Sequence, residues 1–86
     1  MRQRSYGSYG ALFVSGAVPI DGEKLRQLRL GRVLSRRQLA EAAGVGYSTL
    51  ANVESGFKSR LRPETVQRIA SALRVSPRAL LDLEKL

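Results

Sequence analysis

The 86-residue chain contains no cysteine and no histidine. Their absence excludes disulfide staples, thiolate and imidazole metal sites, cysteine nucleophiles and every histidine-dependent triad. Aromatics are scarce, at 6%, so a core has to be built from Leu, Val, Ile and Ala. No run approaches the roughly 18 apolar residues of a membrane-spanning helix. Leu12 to Ile20 is mildly apolar behind Arg2 and Arg4, but Ser15, Gly16 and Pro19 interrupt it, which argues against a signal peptide. Acidic residues are few as well. The seven carboxylates (Asp21, Glu23, Glu41, Glu54, Glu64, Asp82, Glu84) are scattered, and Asp82 and Glu84, two apart, would face apart on a helix. No acid–base pair emerges, and the reading is of a protein that is not an enzyme and needs no cofactor or metal.

What is present is positive charge. Fifteen Lys and Arg against seven Asp and Glu give a net charge of +8. On so small a body this points to a polyanionic partner, nucleic acid or an anionic membrane. The cations are spread over several helices and loops instead of one amphipathic face, which disfavours the membrane. The length fits one domain that buries about 60–65% of its unfolded surface, enough for a compact helical core but not for a deep substrate cavity. The triplet Gly44-Val45-Gly46 is no phosphate cradle, because no strand precedes it.

Residues 1–19 differ from the rest. They hold Gly7, Gly10, Gly16 and Pro19, with three Ser and two Tyr, a composition that disfavours helix. They are expected to form a flexible basic arm, with Ala11–Val14 as one short extended piece. Residues 20–86 form the domain. Asp21 is an N-cap for a first helix over Gly22–Arg32, with Glu23 suiting the dipole and Leu25 and Leu28 on one face. Ser35 and Gln38 make a capping box for a second helix, whose stripe is Leu39, Ala40 and Ala43 and whose stop is Gly44. A third helix runs from Tyr47 to Ser55, with Leu50 and Val53 inward and Gly56 as its stop. Phe57–Arg62 is a loop carrying Lys58, Arg60 and Arg62. Pro63 opens a fourth helix, where Val66, Ile69, Ala70 and Leu73 give the best amphipathic pattern in the chain. Ser76-Pro77 starts a fifth, short helix containing Leu80, Leu81, Leu83 and Leu86. The fold class expected is all-α, a compact five-helix bundle with no sheet of consequence.

The informative unit is Ser35–Gly56, two short helices about a Gly44-centred turn with small Ala40 at the crossing, the geometry of a helix-turn-helix. Leu28-Arg29, Leu34-Ser35, Gln38-Leu39-Ala40, Gly44-Val45, Ser48-Thr49-Leu50, Val53-Glu54, Gly56, Ile69-Ala70 and Leu73 give residues 22–83 a resemblance to the phage repressor and Cro-type (XRE-like) helix-turn-helix family. The resemblance implies a lambda-repressor-like bundle that binds double-stranded DNA with Tyr47–Ser55 as the recognition helix. Tyr47, Ser48, Ala51 and Asn52 would then contact bases. Their chemistry suits this: Asn52 can pair bidentately with adenine, Ser48 can bond several base edges, and Ala51 can meet a thymine methyl. Phosphate contacts fall to Ser35, Arg36 and Arg37 at the start of the second helix, where unpaired N–H groups favour anions, and to Lys58, Arg60 and Arg62. Arg29 and Glu54 match a structural ion pair of the family, while Arg26 and Arg32 are expected in solvent.

Three positions depart from the family pattern. Gly46 stands where Ser or Thr caps the recognition helix, Arg74 stands where a helix-ending Gly is usual, and the arm lies outside the match. Two roles follow from the resemblance. One is a cytoplasmic transcription regulator, a repressor acting as a homodimer. The other is an antitoxin-like or accessory module that holds a protein partner through the Leu-rich C-terminus or the arm.

Overall fold

The computed structural model describes residues 16–86. In chain order it comprises β1 (Val18–Pro19), α1 (Gly22–Gly31), α2 (Arg36–Ala43), α3 (Tyr47–Glu54), β2 (Arg60–Leu61) and α4 (Pro63–Leu73), followed by two 3₁₀ turns at Pro77–Leu80 and Leu83–Lys85. The expected arm, with its extended piece at Ala11–Val14, lies outside the described residues up to residue 15. Four helices are therefore α-helices, not five. The segment expected as a fifth helix closes as 3₁₀ turns, because Leu81 leaves the helical conformation (φ −83°, ψ 149°) to pair with Ile20.

The second correction is a small antiparallel sheet. Val18 pairs with Leu61 and Pro19 with Arg60, so the tail of the expected arm and the end of the expected loop form a ribbon. Ile20 N–H donates to the Ser59 carbonyl at 2.9 Å, Asp21 N–H to Leu80 O at 2.9 Å and Asp82 N–H to Pro19 O at 3.1 Å. The stretch 18–21 thereby ties the loop after α3 to the C-terminal turns.

The caps follow the sequence. The Asp21 carboxylate accepts from Glu23 N–H and Lys24 N–H. The Ser35 hydroxyl and Gln38 amide form the complete capping box, and Gly46 caps α3 with no side-chain bond. Besides Gly56 after α3 (φ 85°), three helix ends pass through the left-handed region, at Val33 (φ 58°), Gly44 (φ 70°) and Arg74 (φ 60°). Each shows paired return bonds of the same kind, such as Val45 N–H to Ala40 O and Val75 N–H to Ala70 O, both 3.0 Å. Of these three, Gly44 adopts the conformation without a Cβ penalty; Arg74 and the β-branched Val33 are strained.

The core is aliphatic, formed by Ile20, Leu25, Leu39, Leu50, Val53, Leu61, Val66, Ile69, Leu73 and Leu80 with Ala40, Ala43 and Ala70. The C-terminal leucines divide between core and surface. Leu80 is fully buried, Leu81 packs at the core's edge, and Leu83 and Leu86 are exposed. Gly22 has a role the sequence reading missed. A Cβ there would collide with the Val53 carbonyl oxygen, so the start of α1 lies on the end of α3 at a separation only glycine permits.

Candidate nucleic-acid interface

The α2–turn–α3 unit is built around α3. Leu50 and Val53 are buried, while Tyr47 and Ser48 are exposed and Thr49, Ala51 and Asn52 are half-buried. At about 100° per residue, Tyr47, Ala51, Ser48 and Asn52 follow one another around an arc of about 140°, with Thr49 beyond them. Leu50, Val53 and Glu54 occupy the remaining arc. No hydrogen bond ties down the Ser48 or Asn52 side chain among the described residues. The four expected base-reading residues thus share one face of α3, opposite the core.

Glu54 anchors the end of this helix. Its side chain has no solvent exposure, and it receives Arg29 in a bidentate pair, Nε to Oε2 at 2.7 Å and Nη2 to Oε1 at 2.9 Å. Arg29 Nη1 also donates to the Leu34 carbonyl at 2.7 Å, fixing the α1–α2 connection. The geometry is that of the expected structural pair, with one addition: Arg36 Nε donates to Glu54 Oε1 at 3.1 Å. Burial pushes the Glu54 carboxyl up, but the Arg29 and Arg36 guanidiniums together outweigh it and hold it below the ordinary carboxylate range. The Glu54 hydrogen bond, with Tyr47 adding to it, raises Arg36 above its own ordinary value. The Arg36 side chain nevertheless remains 40% exposed. The guanidinium of Arg37 lies over the Tyr47 ring, 5.5 Å from the centroid.

Two open basic recesses border α3. Ser35, Arg36, Arg37, Arg29 and Tyr47 line one of about 430 Å³. Lys58, Arg60, Arg62 and Arg68 line another of about 460 Å³, against Gly44–Gly46, Thr49 and Thr65, with no carboxylate in its wall. Tyr47 and Thr49 stand about 200° apart around α3, so the recesses flank the polar face on opposite sides. The six expected phosphate-contact residues divide three to each. They differ in freedom: the Ser35 hydroxyl is engaged as a cap, Arg60 Nη1 donates to Ala17 O at 3.2 Å, and Arg62 is the residue before α4. Sequence reasoning missed Arg68, although Arg62, Thr65 and Arg68 recur every three residues along one edge of α4. Arg32 is exposed, as expected, but its Nε also donates to the Leu73 carbonyl at 3.0 Å, where a cation suits the end of α4.

Two short helices about a left-handed glycine, the outer one presenting a polar face between basic recesses, define a helix-turn-helix module. The helix-turn-helix family HTH_3 matches residues 25–80, and the chain belongs to that family. It is similar to two proteins of Bacillus subtilis strain 168: the HTH-type transcriptional regulator RghRB, 35% identical over 63% of this chain and 39% of that one, and the HTH-type transcriptional repressor RghR, 35% identical over 70% and 44%. The chain thus spans less than half the length of these relatives. Among solved structures it is similar to SinR of Bacillus subtilis, a master regulator for biofilm formation crystallised in complex with DNA, at 30% identity and a TM-score of 0.70 over 73% of this chain and 100% of that one. No helix among the described residues is long and apolar enough to cross a membrane.

Proposed function

We propose that the chain is a sequence-specific DNA-binding transcriptional regulator, acting as a cytoplasmic repressor, that lays α3 in the major groove. The observation that carries the reading is the polar arc of α3 set between two basic recesses. A major groove likewise presents base edges between two phosphate backbones. Tyr47, Ser48, Ala51 and Asn52 read bases. Arg36 and Arg37 with Ser35 hold one backbone, and Lys58, Arg60 and Arg62, joined by Arg68, hold the other. The names of RghR and the DNA complex of SinR support the same role. Of the expected contact leucines Leu80, Leu81, Leu83 and Leu86, Leu83 and Leu86 are exposed and would meet a second copy, which would place two recognition helices about 34 Å apart on an inverted repeat.

Selection of bound sequences from a random duplex library at about 150 mM salt, where non-specific binding is weak, tests this reading. Enrichment of an inverted repeat is the expected result. Recovery of no consensus, with binding only at low salt, would refute sequence-specific regulation.

A further inference from the structure

Phe57 takes no part in the roles assigned above, yet its placement is specific. It is 86% exposed, in a domain whose large aliphatic side chains mostly fill the core. It follows α3 by three residues, beyond Gly56 in the left-handed region (φ 85°). Gly56 N–H donates to Val53 O at 3.1 Å, Lys58 N–H to Asn52 O at 3.0 Å and Phe57 N–H to Ser55 Oγ at 3.3 Å. These bonds fasten the turn to the last turn of α3, so Phe57 moves with the helix and not as part of a free loop. The bond from Lys58 reaches back to Asn52, a member of the polar arc, and the next side chains are the cations of the second basic recess. An aromatic ring left in water there contributes nothing to the core. With its backbone pinned, the segment that carries it loses little loop freedom on binding.

We propose that Phe57 is a DNA-contact residue, its ring packing on the apolar surface of the duplex, deoxyribose or thymine methyl, at the end of the groove occupied by α3. DNA is favoured over a protein partner because the ring sits on the same short segment as Lys58 and Arg60. A protein docked there would compete with the duplex for that segment. The inference rests on the DNA-binding reading and adds to it a contact that carries no charge.

That lack of charge makes it separable. Association of the full chain with the duplex recovered by selection is followed by fluorescence anisotropy from about 50 to 200 mM salt, for wild type, Phe57→Ala, Phe57→Leu and Lys58→Ala. Loss of the buried ring is expected to weaken binding about tenfold at every salt concentration. The slope of log affinity against log salt should stay unchanged and Tm should stay within about 2 °C, as for an exposed residue. Phe57→Leu should recover most of the affinity, whereas Lys58→Ala should make the slope shallower. Phe57→Ala affinity within twofold of wild type, while wild type still discriminates its duplex from a scrambled one, overturns the inference and leaves the DNA reading standing. A fall in Tm of many degrees, or normal DNA binding with loss of a protein partner, also overturns it. Wild type that fails to discriminate the two duplexes removes the DNA reading, and the inference with it.

Discussion

Replacing Glu54 with glutamine tests the central electrostatic claim. The carboxylate is fully buried and accepts two hydrogen bonds from Arg29 and one from Arg36. Glutamine has nearly the same shape but offers a single acceptor oxygen and turns an NH₂ toward a guanidinium. Arg29 would keep its bond to the Leu34 carbonyl and lose half of its fork. Breaking a buried pair from one side costs about 3–5 kcal/mol; the remaining acceptor places Glu54→Gln near the lower end, about 3 kcal/mol. A domain of this size has a total stability of roughly 4–12 kcal/mol, so Tm should fall by about 15 °C. The pH dependence gives an independent check. The folded carboxyl titrates below its unfolded value, so the unfolded chain binds more protons as acid is added. The stability contributed by Glu54 is present in full above about pH 5 and is lost as pH falls through the lowered folded value. Thermal unfolding by circular dichroism from pH 7 to pH 3 should show wild type losing its advantage over Glu54→Gln as pH drops. A difference below about 1 kcal/mol at pH 7, or a constant gap across the pH range, would refute the assignment of Glu54 as a buried ionised anchor.

Other perturbations have different signatures. Gly22→Ala drives a methyl into the Val53 carbonyl oxygen and should cost about 1–3 kcal/mol, seen as a lower urea midpoint with unchanged m. Arg74→Gly relieves a non-glycine φ of 60° and should raise stability by about 1 kcal/mol; an unchanged midpoint would mean that the turn stores no strain. In a double-mutant cycle read on DNA affinity, Arg36→Ala and Glu54→Gln should be non-additive, because Glu54 accepts from Arg36 Nε and orients its guanidinium; simple addition of the two effects would show that Arg36 acts without it.

Much of the helical framework was legible because its signals are local. The Asp21 cap, the Ser35–Gln38 box, the Gly44 stop and the spacing of Val66, Ile69, Ala70 and Leu73 each act within a turn or two of chain. The polar arc of α3 was legible for the same reason, since the period of the helix assigns its faces. What escaped depends on distant partners. The pairing of Val18-Pro19 with Arg60-Leu61 joins segments more than forty residues apart, and neither dipeptide carries a strand pattern. The fifth helix failed because Leu81 is drawn into pairing with Ile20, a tertiary contact that overrides a helical spacing of leucines. The roles of Gly22 and Arg32 follow from backbone atoms of other helices, Val53 and Leu73. Their carbonyls look the same whatever side chain they carry. Arg68 was visible in principle, at a regular interval along α4 from Arg62, but its significance needed the recess that only folding creates.

The two recesses beside α3 are built by different means, and this bears on how the module would hold DNA. On the Tyr47 side the cations stand at the start of α2, and Glu54 on α3 sets the direction of Arg36, so that side is oriented by a buried charge. On the Thr49 side Lys58 and Arg60 lie on a segment pinned by β1 and by the Lys58 N–H bond to Asn52, so that side is oriented by backbone pairing. β1 lies outside the residues matched by the family. One side thus fixes the Arg36 guanidinium and the other the backbone that carries Lys58 and Arg60. Binding then forfeits less side-chain and loop freedom than a floppy basic loop would. On the proposed reading, the spacing of the two sides about α3 would set the register in which Ser48 and Asn52 meet base edges.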